Sequence, residues 1–208
     1  GGPNAFASKG DRVLIKPNWW WYRELAGTGG SANVYSTTDG RMVVAAARMF
    51  SEIGCRVVIG EDPECFLRSE DVLASHRASE LAGMSGSAAI NMRLNGFRSV
   101  PTAGGKLFDS MRIFNDALDA DLIVNLPVMK TNFLTTMTCS LKNMKGVIPP
   151  VEKRAFHQRG LDQGIADLAT VIKPRLNIVE GIIGHDIWGN SIKPVGCIVA
   201  GDNPLSTD

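Results

Sequence analysis

Apolar positions along this 208-residue chain fall into short continuous runs and longer helical stripes. Arg12-Val13-Leu14-Ile15-Lys16 is one such run, stopped by Pro17, and reads as a short buried strand. Residues 19–36, from WWWY through GTGGSANVY, read as a long loop with an aromatic cluster. Thr37, Thr38 and Asp39 then offer N-caps for a helix running to Ile53 and closing on Gly54. Its apolar positions, Met42, Val43, Ala46, Met49, Phe50 and Ile53, keep the spacing of one buried helical face. Residues 55–60 (CRVVIG) form a second strand, ended by Glu61-Asp62-Pro63. Strand, loop, helix and strand in that order make a βαβ unit, which is nearly always right-handed.

A further helix is predicted over 69–83, with Leu73, His76 and Leu81 inward. Residues 84–120 hold only short strand candidates at 88–90, 97–100 and 111–114, and read as an edge or an insertion. Regular order returns with a strand at 122–126 and a helix over about 135–143. A loop follows over 146–159, containing Pro149-Pro150. Residues 161–172 are amphipathic, with Ile165, Leu168, Val171 and Ile172 inward, and Pro174 closes that helix. Residues 176–179 and 197–200 read as two more strands. The alternation predicts a single α/β domain over 1–208: a largely parallel sheet with helices on both faces, in Rossmann-like layering, and an irregular insertion at 84–120.

Composition narrows the function classes. Hydrophobic content of 44% and charged content of 21% are those of an ordinary globular protein. A net charge of +1 argues against a general nucleic-acid binder. No apolar run reaches the roughly 18 residues of a membrane span. The near-neutral total hides a local excess, however. Between Leu122 and Leu161 six Lys or Arg stand against one acid, Glu152, while the rest of the chain holds 16 basic and 20 acidic residues. Four cysteines, Cys55, Cys65, Cys139 and Cys197, form no C-x-x-C pair, so no iron–sulfur ligand pattern lies within the chain and the cofactor is left unassigned. Cys55 and Cys197 read as small buried hydrophobes, and Cys139 as packing or a thiol near the lysines. No secretory signal stands at Gly1, and GDNPLSTD follows directly on a strand, so the sequence reads as a fragment of a longer protein. The compartment is unassigned: soluble and cytoplasmic by default, with room for a removed leader.

In an open α/β sheet, ligands bind outside the carboxyl ends of the strands. Those ends carry Lys16 and Asn18, Glu61 and Asp62, Asn125, Glu180, and Asp202 with Asn203. The loops beyond them add Asp39, Lys130, Thr131, His185 and Asp186. This mixture suits a phosphate-bearing or metal-assisted ligand, with lysines on the anion and carboxylates on a hydroxyl or cation. Lys130, Lys142 and Lys145 would hold a carboxylate or phosphate. Asp39 and Glu61 would bind a hydroxyl or a metal of unassigned identity, and His157 in RAFHQR is the candidate proton donor. Two patterns carry less than their letters suggest. GTGGSA at 27–32 fits G-x-G-x-x-A but leads into NVYSTTDG rather than an apolar helix, and reads as a lid. The aromatic run at 19–22 reads as a wedge into the core or an interface, with base stacking as the alternative.

Six segments in order, VLIKPN at 13–18, STTD at 36–39, VVIGE at 57–61, ADLIVNLPVMKT at 120–131, SLKNMKGVIP at 140–149 and VAGDNP at 199–204, resemble the bacterial and archaeal family called domain of unknown function 362. The positions that match it are Lys16, Asn18, Thr37, Asp39, Glu61, Asn125, Lys130, Lys142, Asn143, Lys145, His157 and Asp202. The chain departs from the family at Asn132, where a His is common after the Thr, and in its WWWY insertion. The resemblance implies an uncharacterised activity, a distant fold-level likeness to the N-terminal domain of nickel-pincer lactate racemases, and frequent association with ferredoxin-like modules. Two function classes follow. The first is an anion-binding pocket at the strand carboxyl edge, formed by Lys16, Asn18, Asn125, Lys130, Thr131, Lys142, Asn143, Lys145 and Asp202 around a small anionic ligand. The second is a redox-partner or scaffold domain working with an iron–sulfur module outside this chain. Whether the pocket catalyses a reaction is left open.

Overall fold

A computed structural model describes residues 2–21, 35–187 and 191–208; the GTGGSA stretch and Tyr22 lie outside the described residues. Strand β1 (Arg12–Pro17) leads to helix α1 (Gly40–Ser51), whose first turn is capped by Asp39 accepting from the Arg41 N–H. The buried face of α1 is Val43, Val44, Ala46, Ala47 and Phe50, so Met49, expected inward, is exposed. Gly54, at φ 83°, turns the chain into β2 (Arg56–Gly60). The single helix expected over 69–83 is two, α2 (Ser69–Ser75) and α3 (Ala78–Ser85), because Arg77 between them takes the left-handed conformation. His76 at the break is buried and stacks on Trp19 with ring centroids 4.9 Å apart. The aromatic run is thus a wedge at Trp19, which is 1% exposed.

Strand β3 (Ala88–Ile90) joins the main sheet, whereas β4 (Phe97–Pro101) and β5 (Ser110–Phe114) form an antiparallel pair of their own. After α4 (Asn115–Leu118) comes β6 (Leu122–Leu126), as expected. The next expectation needs correcting. Where a helix was predicted from about 135, the chain forms a hairpin of β7 (Val128–Asn132) and β8 (Thr136–Thr138), and helix α5 covers only Ser140–Asn143 before a 3-10 turn at Met144–Val147. The cause is local: the Asn132 side-chain oxygen accepts from the N–H groups of Leu134 and Thr135, closing a turn. The predicted loop at 146–159 is instead helix α6 (Pro150–Arg159), begun by Pro150 where a missing N–H costs nothing. Helix α7 (Leu161–Val171) follows, then β9 (Leu176–Asp186), β10 (Ser191–Gly201) and α8 (Pro204–Thr207). Both last strands have 11 residues, far beyond the apolar cores that announced them.

The strand order is β3-β2-β1-β6-β9-β7-β8, with β10 antiparallel on β9. The β3, β2, β1, β6, β9 and β7 neighbours all pair in parallel, giving the largely parallel sheet. Period-two alternation divides each central strand between two cores. Val13, Ile15, Val57, Ile59, Leu122 and Val124 pack with α1, α2 and α3. Leu14 and Ile123 pack on the opposite face with β5, α6 and α7, through Ile113, Phe156, Ile165 and Leu168. On that second face the next positions along the strands are polar: Lys16 lies opposite Asn125, and Asn125 opposite Asn177. The apolar core ends at this level and the polar site begins. Among the described residues no helix is long and apolar enough to cross a membrane.

Candidate functional site

A chain of side-chain hydrogen bonds runs across the polar level at the strand ends. Asn125 donates to Asn177 Oδ1 (2.9 Å), Asn143 donates to Asn125 Oδ1 (2.8 Å), and Asn18 donates to Asn143 Oδ1 (2.8 Å). Lys130 Nζ then donates to Asn18 Oδ1 (2.8 Å). Four amides, two on strands β6 and β9, one on α5 and one just after β1, thus form one directional chain ending on a lysine. Each side chain fixes the flip of the next, so Lys130 is held by a rigid scaffold.

Beside this chain lies a buried ion pair. Lys16, fully buried, donates to Glu61 Oε2 at 2.6 Å and to the Pro17 carbonyl at 2.7 Å. Glu61 also accepts from the N–H groups of Trp19 and Asp62. Burial pushes the Lys16 amine down and the Glu61 carboxyl up, and each partner opposes the shift in the other. Gly146 covers the pair. A Cβ at that position would overlap Glu61 Oε1 and Lys16 Cε, so only glycine closes the 3-10 turn over it.

Above this floor opens a cavity of about 140 Å³. Lys130, Lys142, Lys145 and Lys153 line it together with Asp62, Glu64, Trp20 and His157. Lys153 is spent on Asp62, whose other oxygen accepts from Arg93. The other three lysines belong to no ion pair among the described residues. Lys130 is 6% exposed, donates to the Ser36 carbonyl at 2.7 Å, and sits 4.8 Å from the centroid of the Trp20 ring. Burial, then the charge of Lys142, hold its ammonium well below the usual lysine range. Lys142 donates to the Thr135 hydroxyl at 2.9 Å and is lowered to about 8 by burial and by Lys145. Lys145 is lowered mainly by burial, and its Nζ lies 3.0 Å from His157 Nε2.

Burial and Lys145 also lower the pKa of His157. The tautomer sets which nitrogen donates across the 3.0 Å contact: a ring bare at Nε2 accepts from Lys145 Nζ. With either assignment the contact ties the His157 ring to Lys145.

The structure does not gather every residue named from sequence. Asn18, Glu61, Lys130, Asn143, Lys142, Lys145 and His157 meet at the cavity, with Lys16 and Asn125 in the layer beneath. Asp39 caps α1, pairs with Arg41, and lines a separate depression of about 110 Å³ with Glu180 and His76. Glu61 and Asp39 thus line separate cavities. Thr131 donates to Asp186 on the opposite side of β7. Asp202 is exposed just after β10 and lines none of these cavities. Among the described residues no group of three or more His, Cys, Asp or Glu side chains gathers to hold a metal ion. Cys139 is buried, and burial together with Asp208 pushes its thiol up to about 12, which leaves it protonated and unreactive.

Sequence reasoning missed Lys153, Gly146 and Asn177. A signal existed for the first: once 150–159 is read as a helix, Lys153 and His157 stand at i, i+4 on one face.

Fold and site together define an α/β protein with a lysine-lined cavity at the carboxyl edge of a parallel sheet. The chain matches the family described as Domain of unknown function (DUF362) over residues 13–208, and it belongs to that family. It is 28% identical over 218 residues to a thylakoid-associated protein of Synechocystis sp., an alignment that covers 100% of this chain and 64% of that protein.

Proposed function

We propose that the cavity binds a small anion, a carboxylate or a phosphate, through Lys130, Lys142 and Lys145. One observation carries this reading: three lysines without a carboxylate partner among the described residues converge where burial and neighbouring lysines already depress their proton affinity. An anion entering there would neutralise charge that the fold has paid to bury, and the desolvated setting strengthens each contact. The amide chain supports the same reading, because it spends four buried side chains on the placement of Lys130. His157 is the group best situated to take up a proton from a bound acid. A docking role toward an iron–sulfur module calls for a broad face rather than a charged cavity, so the geometry weighs toward the anion.

Isothermal titration with inorganic phosphate and with acetate tests this. Lys142→Ala and Lys145→Ala are each expected to weaken binding by about tenfold or more, the value of a charge-assisted hydrogen bond. Affinities unchanged in both variants and in Lys130→Ala would sink the proposal.

A further inference from the structure

The carboxylates that line the lysine cavity are Glu61, Asp62 and Glu64, and the first two are engaged. Glu61 accepts from Lys16, and Asp62 accepts from Lys153 and Arg93. Glu64 differs from both. It is half-buried, and among the described residues its carboxylate makes no hydrogen bond or ion pair. The backbone around it is fixed. The Glu64 N–H donates to the Trp20 carbonyl, its carbonyl accepts from the Leu67 N–H, and the preceding Pro63 carbonyl accepts from Lys153 Nζ at 2.6 Å. The side chain therefore stands at the cavity wall, short of contact with the lysines yet within reach of their fields. Burial lowers the proton affinity of Lys130, Lys142, Lys145 and His157, and Glu64 is an opposing charge that all four feel. Among the described residues, these lysines and Glu64 line one space without meeting. At about 140 Å³ that space holds roughly five water volumes, enough for a short molecule and no more.

We infer that the ligand is a small zwitterion, whose carboxylate or phosphate lies among Lys130, Lys142 and Lys145 and whose ammonium group meets Glu64. This rests on the anion-binding reading and narrows its ligand class to short amino acids and aminoalkyl phosphates. A simple anion would leave Glu64 unmet and repel it at close quarters. A cationic end turns the same carboxylate into a charge-assisted partner. Selectivity follows, because an apolar tail of equal size would strip water from the carboxylate and supply no donor in return.

The test is a set of titrations at pH 7 that pairs each plain anion with its amino counterpart. Acetate is compared with glycine, propanoate with 3-aminopropanoate, butanoate with 4-aminobutanoate, and ethyl phosphate with 2-aminoethyl phosphate. The pairs vary the separation of the two charges and separate the two head groups. In the best-fitting pair the amine should tighten binding by at least about tenfold, the value of one charge-assisted hydrogen bond. Glu64→Gln, close in size to the native side chain, should move the two ligands of that pair in opposite directions. The amino compound should weaken about tenfold, while the plain anion should bind about twofold tighter as the repulsion is removed. Lys142→Ala should weaken both. A Glu64 that acted only on the charge of the lysines would move both ligands the same way, and that result would overturn the inference. Plain anions that bind while the amine adds nothing in any pair, or an amine gain that survives Glu64→Gln, would also overturn it and leave the anion pocket intact. Absence of binding by every compound would overturn both.

Discussion

Gly146 gives its carbonyl to the Asp62 N–H and its bare Cα to the Lys16–Glu61 pair, so one residue ties β2 to the segment that carries Lys142 and Lys145. Gly146→Ala is expected to cost at least about 2 kcal/mol by overpacking and to separate the lysines from the floor; urea denaturation measures it. Lys142 sets a second expectation. Its pKa of about 8 in the free protein means that it is charged below that pH and neutral above it. A bound anion raises the pKa, so phosphate affinity should be highest below pH 8 and should fall as pH rises through 8. Titrations at pH 7 and pH 9.5 check the sign, and Lys142→Met should flatten the difference. Lys130, Lys142 and Lys145 were legible in sequence because their local charge excess follows a buried strand. His185 was visible only as a polar residue after a strand. That neither ring nitrogen finds a hydrogen-bond partner among the described residues is a tertiary fact that no local pattern encodes.

At the scale of elements, Asp167 on α7 performs a structural task that resembles a binding site. Its carboxylate accepts from the backbone N–H groups of Lys106, Leu107 and Phe108 and from Gln163, pinning the turn before β5 onto α7. Burial pushes its pKa up, but these donors outweigh burial and hold it at about 2. Because the folded value lies below the unfolded one, the stabilisation is present above about pH 4 and is lost as pH falls toward 2. Asp167→Ala should therefore cost about 2–4 kcal/mol at pH 7. The gap to the wild type should close on acidification, as thermal melts at pH 7 and pH 2.5 would reveal. The central strands were readable from their apolar runs, since β1, β2 and β6 are covered on both faces. The β7–β8 hairpin was not, because a side-chain turn at Asn132 overrode the apparent helix signal. Helix α6 was hidden by Pro149-Pro150 and by a composition too polar to show an inward face. The outer part of β10 is largely exposed, so no burial periodicity marked its length.

Across the whole molecule, one geometric fact organises the rest. Three adjacent parallel strands present Lys16, Asn125 and Asn177 at a single level, and the α5 segment lays Asn143, Lys142 and Lys145 over them. The sheet thus supplies a rigid polar floor, and the segment after β8 supplies charge. Asp39 and Asp202 share the same general edge yet fall outside the cavity, because strand-end position alone does not determine which loop folds inward. The three lysines that have no ion-pair partner among the described residues are where the proposed anion would sit, and an electron-rich divalent anion locates it directly. Crystals soaked in selenate, measured at the selenium absorption edge, should show an anomalous peak within hydrogen-bond reach of Lys142 and Lys145 and close to Lys130. Selenium peaks confined to the outer surface, with the lysine cavity empty at saturating selenate, would contradict it.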